Sequence, residues 1–542
     1  MSLFYDWDDW VAPTSLPPNE SVIAIDFEAD DPFLKKLGPS WAFPGVGSPV
    51  GIGIATSQTT AYYAIGHDTD NFAETHNLLK WLRDFCGNPS NTLIAFHAIY
   101  DLGWLHRLGI PVRCKIMCPM SMAALLDECR KSYSLESLSR ENNLPAKIKT
   151  HEIDERMFSH IKRVAPFMLG PYCERDARNA YDLAMILMPQ IIEQRLDRVF
   201  TLEMELIPVL IDMRVHGVRV DIDRAEKERA RLRAEEQSVL AQLKHETGLT
   251  IDIWSADSVA SAFMEAGLEY PRTPNGQGSF QAAWLAAHPH IVPQLIVRAR
   301  KLNKLHNVFL TNYVLGHAYE GRIHAEFSPL RGEKGGTVTG RFVSTDPNLQ
   351  NLSARNPESA SIVRGCFLPE DGALWAALDY SSQEPRLTAH FAAELHRLRP
   401  DKCRGINAIV QEYHANPRLD FHQFIADITG VTRRQAKDIN LGLAYGMGEG
   451  KLCRTLGLPV EIHPRGYEVA GPEGKEILRQ YHERVPFMRD LQRFASARAK
   501  ERGEVRTLFG RRRQCVTSDE PLPGDRRAWP HKALNAIIQG SA

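Results

Sequence analysis

The sequence has no paired cysteines, no excess of basic charge and no long apolar run. Its nine cysteines form no CxxC pair and no metal-ligand spacing, which predicts free thiols in a reducing compartment. The chain carries 65 lysines and arginines against 66 aspartates and glutamates, so a nucleic-acid surface would have to be local. No apolar stretch approaches the roughly 18 residues of a membrane span. The N-terminus is acidic and aromatic, unlike a signal peptide, and we expect a cytoplasmic protein without a membrane partner.

Length and composition indicate a multidomain globular protein. The chain has 542 residues, of which 43% are hydrophobic and 24% are charged. This length exceeds what a single hydrophobic core accommodates, which predicts three or four domains. The proportions are those of an ordinary folded chain and exclude a disordered or fibrous one.

Two carboxylates end the first apolar segment. Residues 21–28 read SVIAIDFE, which predicts a strand ending at Asp26 and Glu28. Side chains two apart on a strand point to the same side, and like charges held together are costly unless a cation neutralises them. Hard oxygen ligands suit Mg²⁺ or Mn²⁺. A lone DxE is also common as plain surface charge, so this motif needs support from elsewhere.

Two later segments carry further candidate residues. Residues 91–101 form a second apolar run, which predicts a strand that ends at Asp101 before a helix. Residues 172–187 predict an amphipathic helix on which Tyr172 and Asp176 lie one turn apart on one face. Taken singly, Asp101 also fits a helix N-cap, and Tyr172 also fits a half-buried core position.

In order along the chain, the DxE, the single aspartate and the YxxxD resemble the three motifs of the DEDDy 3′–5′ exonucleases, found in proofreading domains and ribonuclease D. The resemblance implies that Tyr172 positions the attacking water. One position departs from the family, because His97 stands where the second motif has asparagine. The resemblance also implies two metal ions held by four carboxylates: Asp26, Glu28, Asp101 and Asp176.

The segment 321–352 is rich in Gly, Thr and Ser and contains side chains suited to sugar edges and minor-groove acceptors. Its pattern TVTGRFVSTDPNLQN resembles the template-primer-contacting motif of family A DNA polymerases. The alternative is an arbitrary surface loop. The resemblance implies DNA contacts by Thr339, Arg341, Asn348, Gln350 and Asn351.

The stretch 374–386 predicts a buried strand, Leu374–Leu378, that delivers Asp379 at its tip. DYSSQEPR resembles motif A of family A polymerases. The resemblance implies that Asp379 binds both catalytic metals and that Tyr380 lends its backbone carbonyl to one of them. It also implies that Ser381 and Glu384 contact the incoming nucleotide, with Glu384 helping to exclude a 2′-hydroxyl. The alternative is a strand end exposed to solvent.

A stripe of residues four apart begins at Arg433 and continues with Lys437, Leu441 and Tyr445. Two cations one helical turn apart can clamp a triphosphate, although a basic helix face with an apolar continuation is the simpler alternative. The string resembles the fingers helix of family A, where Lys437 would take part in catalysis and His422 would contact the triphosphate. The family has Phe or Tyr where Leu441 stands, which predicts altered sugar discrimination.

The C-terminal region completes the resemblance. Residues 531–542 match a helix whose amides, here Asn535 and Gln539, contact template and primer in the family. Residues 503–514 are predicted as a loop, in which the cluster 511–513 of three arginines suits phosphates. The family's His-Asp-Glu hairpin, which supplies a second metal-binding aspartate, does not occur in the sequence.

We therefore expect that a missing C-terminal segment or a second polypeptide carries the hairpin. Two alternatives are that the sequence is simply incomplete and that the chain is a natural remnant without the hairpin. Primer extension by residues 1–542 alone is expected to be absent or weak. The rival hypotheses are a stand-alone DNA-binding 3′–5′ exonuclease and a non-catalytic primer-template binding protein.

The resemblance covers nearly the whole chain and implies an α/β, ribonuclease H-like exonuclease followed by a right-hand, α+β polymerase. It implies DNA replication with proofreading by two-metal phosphoryl transfer, with primer-template DNA and dNTPs as substrates in a bacterial or phage-infected cell. A processivity factor is compatible with this interpretation. The expected divisions are exonuclease 1–195, thumb and connecting helices 196–320, first part of the palm 321–400, fingers 401–480 and returning palm 481–542.

Overall fold

The computed structural model of the protein divides into an N-terminal α/β part, a mainly helical middle and a C-terminal helical part. All nine cysteines are free thiols, as the sequence predicts. The structure describes residues 10–146, 148, 160–273, 275–330, 337–352, 356–444, 446–464, 466–518 and 524–542.

A five-stranded mixed sheet forms the centre of the N-terminal part. Its strands are β1 (Val22–Asp30), β2 (Ser48–Ala55), β3 (Thr60–Ala64), β4 (Thr92–Ala95) and β5 (Lys115–Met117). The order is β3-β2-β1-β4-β5, with β1 antiparallel to β2 and parallel to β4. The middle of β1 is an apolar run, since both faces of a central strand are covered, and Ile23 and Ile25 are fully buried.

In the described part of the chain, six α-helices accompany this sheet. They are α1 (Thr75–Gly87), α2 (Ala98–Arg107), α3 (Pro119–Leu126), α4 (Leu135–Glu141), α5 (Pro166–Glu193) and α6 (Asp197–His216). The predicted helix 172–187 is confirmed as part of the longer α5. Phe200 and Ile207 of α6 pack in the same hydrophobic core as the sheet. Gly217, with φ +60°, ends α6, as expected for a residue that tolerates positive φ.

The middle of the chain contains long helices and a small sheet. Its strand order is β11 (Phe367–Leu368), β6 (Val218–Val220), β8 (Arg322–Ile323) and β7 (Ala318–Tyr319). Asp221 caps α7 by accepting a hydrogen bond of 2.9 Å from the N–H of Arg224. The elements are β6 (Val218–Val220), α7 (Ile222–Thr247), α8 (Ala256–Glu265), α9 (Ala282–Ala287), α10 (Ile291–Asn303), a π-helix (Lys304–Leu315), β7 (Ala318–Tyr319), β8 (Arg322–Ile323), β9 (Glu326–Ser328), β10 (Val343–Thr345), α11 (Pro357–Arg364) and β11 (Phe367–Leu368).

The C-terminal part has its own hydrophobic core, which includes Phe421, Tyr481 and Phe487. Asp420 caps α14 by accepting hydrogen bonds from two backbone N–H groups. The elements are α12 (Gln383–Leu398), α13 (Ile406–Ala415), α14 (Phe421–Thr429), α15 (Arg433–Ala444), α16 (Glu449–Thr455), β12 (Val460–Ile462), β13 (Glu468–Ala470), α17 (Pro472–Arg484), α18 (Pro486–Arg502), β14 (Glu504–Arg506), β15 (Arg512–Gln514) and α19 (Ala533–Ser541).

The prediction of a buried strand at Leu374–Leu378 is wrong for this structure. Residues 373–380 have no regular secondary structure, and the exposed fractions of Leu374 and Leu378 are 93% and 95%. A strand is stabilised by its ladder partners, and no described segment pairs with these residues. The apolar pattern is therefore present in the sequence, but no neighbour among the described residues buries it.

Two further local predictions need correction. Asp101 does not lie at a strand end, because β4 stops at Ala95 and Asp101 occupies the first turn of α2. Residues 503–514 are not a loop but contain the antiparallel hairpin β14–β15. Among the described residues, no helix is both long and apolar enough to cross a bilayer.

Candidate active sites

Asp26 and Glu28 project from one face of β1, as their spacing predicts. Each faces a glycine on β2, because Asp26 pairs with Gly53 and Glu28 pairs with Gly51. Both acidic side chains are half-buried. The carboxylate oxygens of the pair and the Sγ atom of Cys173 lie within 4.8 Å of one another. The two carboxylates thus converge at one place on the sheet.

Asp101 reaches β1 from the neighbouring helix α2. Its carboxylate oxygen Oδ1 accepts a hydrogen bond of 2.9 Å from the backbone N–H of Phe27, the residue between Asp26 and Glu28. The Asp101 side chain is almost fully buried, and this burial raises its pKa to about 7. This hydrogen bond therefore holds the Asp101 carboxylate against β1, the strand that carries the Asp26 and Glu28 carboxylates.

Helix α5 brings Tyr172, Cys173 and Asp176 to the same face. The Cys173 thiol lies 3.2 Å from the backbone oxygen of Asp26 and 3.5 Å from its Oδ2 atom. Burial, with the negative charges of Asp26 and Glu28, holds the pKa of the Cys173 thiol well above its ordinary value. The thiol is therefore a neutral hydrogen-bond donor to Asp26.

Tyr172 is also a neutral group in this site. Burial raises the pKa of the Tyr172 hydroxyl, and the charges of Glu28, Asp176 and Asp26 raise it further. The Tyr172 hydroxyl therefore keeps its proton. The structure thus brings together Asp26, Glu28, Asp101, Tyr172 and Asp176.

The donor set fits a divalent cation. Carboxylate oxygens are hard ligands of the kind that Mg²⁺ and Mn²⁺ prefer, whereas a buried neutral thiol is not. Several negative groups gathered at one point are also expected to bind a cation, since their mutual repulsion is otherwise unfavourable. Cys173 was missed by sequence reasoning, because a cysteine inside YxxxD gives no signal of its own.

His97 precedes the first residue of α2 and is half-buried. Desolvation lowers the pKa of its imidazole, although the charge of Glu326 opposes this effect. The neutral ring can both donate and accept a hydrogen bond, as the asparagine that the family has at this position can. Glu326 lies on β9, so the middle of the chain approaches this face of the sheet.

The predicted motif A residues lie at the start of α12. Asp379, Tyr380 and Ser381 are exposed. Asp379 belongs to neither of the three-ligand groups found among the described residues. Glu384 is half-buried and forms an ion pair with Arg341, which joins the predicted DNA-contacting segment to the predicted nucleotide site.

The predicted triphosphate residues converge on α14 and α15. Arg433 forms an ion pair of 2.7 Å with Asp420, the residue that caps α14. Desolvation lowers the pKa of His422. The charge of Asp420 opposes this shift, whereas the charges of Lys437 and Arg433 add to it. The Nδ1 atom of His422 lies 3.2 Å from Nδ2 of Asn440.

The stripe on α15 is confirmed as helical up to Leu441, which is half-buried. Lys437 is exposed on it. Tyr445 lies outside the described residues.

The predicted DNA-contacting side chains lie in two places. Asn348 accepts a hydrogen bond of 3.1 Å from the N–H of Gln350, and Asn351 is exposed beside them. The buried Oδ1 atom of Asn535 on α19 accepts no hydrogen bond from the described residues. One cleft is lined by residues of both segments, among them Thr339, Arg341 and Gln539.

The three arginines 511–513 do not form a free phosphate-binding cluster. Arg511 pairs with the buried Glu203 of α6, Arg512 donates to Gln194 at 2.6 Å, and Arg513 pairs with Glu128 at 3.1 Å. Arg511 and Arg513 therefore neutralise acidic groups of the N-terminal part, and Arg512 donates hydrogen bonds to its carbonyl oxygens. The three arginines are adjacent in sequence because they lie in one hairpin, β14–β15, which they attach to the N-terminal part.

Comparison with known proteins gives two family matches. The family described as DNA polymerase family A matches residues 222–542, and the family described as 3′-5′ exonuclease matches residues 45–192. The DNA-directed DNA polymerase of Pseudomonas phage M6 is 33% identical, with 98% of this chain and 87% of that protein covered. DNA polymerase DpoZ of Acinetobacter phage SH-Ab 15497 is 30% identical, with 89% and 80% covered.

A solved structure has the same fold. The POL domain of Pol1 from M. smegmatis, in complex with DNA primer-template and dNTP, matches with a TM-score of 0.72 at 21% identity. The match covers 96% of this chain and 82% of that one. The predicted fold class, an exonuclease domain followed by a polymerase, is confirmed.

Proposed function

The chain belongs to DNA polymerase family A and carries a 3′–5′ exonuclease domain, and from this premise we propose which residues perform the two reactions. It is a DNA-directed DNA polymerase with 3′–5′ exonuclease, acts on DNA and nucleotides, and belongs to metal-dependent enzyme families that usually use Mg²⁺. We assign removal of 3′-terminal nucleotides to the face of β1, α2 and α5. We assign synthesis to the start of α12 together with α14 and α15.

The exonuclease assignment rests on one observation, the convergence of four acidic residues from β1, α2 and α5. Two divalent cations, Mg²⁺ or Mn²⁺, held by Asp26, Glu28, Asp101 and Asp176 would offset the charge on the attacking and leaving oxygens. Tyr172 keeps its proton in this environment, so its hydroxyl can donate to or accept from a water. It orients that water toward the terminal phosphodiester. The hydrogen bond from Phe27 fixes the Asp101 carboxylate.

The exonuclease assignment is tested with the double variant Asp26→Ala/Glu28→Ala. The wild-type chain should shorten a labelled single strand from its 3′ end with Mg²⁺, and the double variant should not. Asp84→Ala changes an exposed carboxylate on α1 and serves as the matched control. Degradation by the double variant at the wild-type rate would refute the assignment.

In the polymerase site we propose that Asp379 and the Tyr380 carbonyl bind the cations, with Ser381 and Glu384 beside the incoming sugar. His422, Arg433 and Lys437 would hold the triphosphate, and Leu441 and Tyr445 would face the nucleotide. The charges of Arg433 and Lys437 lower the pKa of His422. The backbone N–H of His422 and the guanidinium of Arg433 both contact the Asp420 carboxylate, and these observations support the grouping. We propose DNA contacts for seven residues: Thr339, Arg341, Asn348, Gln350, Asn351, Asn535 and Gln539.

The triphosphate assignment predicts different effects for two neighbouring cations on α15. In a preparation that extends a primer, Lys437→Ala should reduce kcat/KM for dNTP roughly 100-fold, because one preorganised donor to the transferring group is lost. Arg434→Ala removes an exposed cation that lies off the stripe and should have little effect. Equal losses in the two variants would contradict the assignment.

The exposed apolar segment supports a further proposal about synthesis. Leu374 and Leu378 are almost fully exposed, which is unusual for large apolar side chains in a folded domain. We propose that residues 373–380 form a palm strand only when a further polypeptide segment that carries a second aspartate pairs with them. Residues 1–542 alone would then degrade 3′ ends with little primer extension, the second candidate function. Robust extension by this chain alone would contradict the proposal.

A further inference from the structure

A buried pair, Tyr62 and His67, lies beside the exonuclease carboxylates. The exposed fractions are 0% for Tyr62 and 5% for His67. The Tyr62 hydroxyl lies 2.7 Å from Nε2 of His67, and Nδ1 of His67 lies 2.6 Å from the carbonyl oxygen of Val164. A carbonyl only accepts, so Nδ1 carries a proton and Nε2 of the neutral ring accepts from Tyr62. The bonds therefore form a directed chain from Tyr62 through His67 to Val164.

Gly51 brings the Tyr62 hydroxyl next to Glu28. A Cβ atom built on Gly51 would lie 1.9 Å from the hydroxyl oxygen, so the hydroxyl occupies the space that a side chain would fill. Gly51 is the cross-strand partner of Glu28, and paired residues project from the same face of a sheet. The hydroxyl therefore lies on the face that carries Glu28.

Tyr62 also holds helix α5 at two points. Its backbone N–H donates a hydrogen bond of 2.8 Å to Oε1 of Glu174, a residue of α5. The hydrogen bonds that run from the Tyr62 hydroxyl through His67 end at Val164, just before α5 begins at Pro166. The bare backbone of Gly53 lets the helix approach closely, since a Cβ there would lie 2.8 Å from the carbonyl oxygen of Cys173.

We propose that Tyr62 and His67 are positioning residues of the exonuclease. Together they fix the distance and rotation of α5 over β1, and so place Tyr172 and Asp176 relative to Asp26 and Glu28. Neither residue needs to touch DNA or a cation to do this. The inference rests on the proposed exonuclease function of this face.

The test compares the same chemical change at two adjacent tyrosines. Tyr62→Phe removes the hydroxyl that donates the first hydrogen bond, to His67. Tyr63→Phe removes a similarly buried hydroxyl, which donates to the carbonyl of Ser15 at 3.2 Å and lies on the opposite face of β3. Tyr62→Phe should lower kcat for 3′-end degradation roughly 10- to 100-fold, as removal of a supporting partner at a metal site does. KM for single-stranded DNA should stay unchanged, and Tyr63→Phe should match the wild type.

A second readout does not depend on activity. Mn²⁺ binding to the DNA-free protein, measured by electron paramagnetic resonance, should weaken in Tyr62→Phe and not in Tyr63→Phe. A change in unfolding temperature without a change in Mn²⁺ binding or kcat would overturn the inference, because it would show a merely structural role. Equal behaviour of the two tyrosine variants would overturn it too.

Substitutions of His67 test the same row of hydrogen bonds independently of Tyr62. His67→Ala should resemble Tyr62→Phe, and the double variant should be no worse than either single one, because the two residues act as one unit. His67→Asn keeps an N–H donor that can reach Val164 and should recover part of the loss. Additive losses, or no recovery with asparagine, would contradict a directed chain.

Failure of the inference can be told apart from failure of the proposed function. If Asp26→Ala/Glu28→Ala still degrades DNA, the exonuclease assignment itself is wrong and the inference is overturned with it. If that double variant is inactive while Tyr62→Phe equals Tyr63→Phe, the active site stands and only the positioning role is wrong.

Discussion

The hairpin β14–β15 is held to the N-terminal part by a buried ion pair whose loss has a calculable effect. Glu203 of α6 and Arg511 of the hairpin turn form this pair, with side-chain exposures of 3% and 13%. Burial raises the pKa of Glu203, and the Arg511 charge opposes that shift. We predict that Glu203→Gln, which keeps shape but removes the charge, destabilises the junction.

The size of the effect comes from the charge that is left behind. Removing one partner of a buried pair typically costs 3–5 kcal/mol, because the other charge stays buried without compensation. The glutamine oxygen can still accept one hydrogen bond from Arg511, which offsets about 1 kcal/mol. We therefore expect a loss of about 3 kcal/mol.

The assay is urea unfolding followed by tryptophan fluorescence, read at the first transition, since a multidomain chain can unfold in several steps. Glu205→Gln changes an exposed glutamate on the same helix and should stay within about 0.5 kcal/mol of wild type. Replacing both partners, as Glu203→Leu/Arg511→Met, should recover most of the stability. Equal urea midpoints for Glu203→Gln and Glu205→Gln would show that the buried ion pair does not stabilise the junction.

Two further predictions concern the two candidate sites. Burial raises the pKa of Asp101 to about 7 from an ordinary 3.8. Without divalent cations, ionisation of Asp101 therefore destabilises the folded state. This loss of stability grows as the pH rises from 4 and is complete above pH 7. Asp101→Asn should therefore slow hydrogen exchange in β1 at pH 8, where the native carboxylate is ionised. An equal slowing at pH 4, where that carboxyl is protonated, would contradict this expectation. Leu441→Tyr should increase dideoxynucleotide incorporation in any preparation that extends a primer, because leucine cannot stack beside the sugar; unchanged incorporation would show that this position does not select the sugar.

Local patterns were sufficient to predict the residues that share an element. The spacing of Asp26 and Glu28 on β1, of Tyr172 and Asp176 on α5, and of Arg433 on α15 is set by strand and helix geometry alone. Family resemblance then related elements far apart in the chain. The resemblance predicted Asp101 as a site residue, although the sequence placed it at a strand end and the structure places it in the first turn of a helix.

Features that depend on distant partners could not be predicted. The run around Leu374 has the composition of a buried strand, but burial requires a pairing segment that its own sequence does not specify. The charges of Arg511 and Arg513 are visible in the sequence, whereas their acidic partners lie 308 and 385 positions earlier in the chain. Tyr62 gives no sequence signal either, because its role depends on the glycine that lies opposite Glu28.

The domain bounds predicted from the sequence stay predictions. Side chains of α6 such as Phe200 pack with the N-terminal sheet, while the next core begins with Val220 of β6. A boundary drawn by packing would therefore fall near Gly217, whereas the pattern of helical sequence places it near residue 195. Limited proteolysis would distinguish the two positions.

We propose that the chain holds two separate active sites, and one parallel measurement can separate them. The rate of 3′-end shortening of a labelled single strand with Mg²⁺ is measured for wild type, Asp26→Ala/Glu28→Ala and Asp379→Ala. We predict that the first variant loses degradation completely and that the second keeps the wild-type rate. Degradation that survives loss of Asp26 and Glu28, or that disappears with Asp379, would contradict the account.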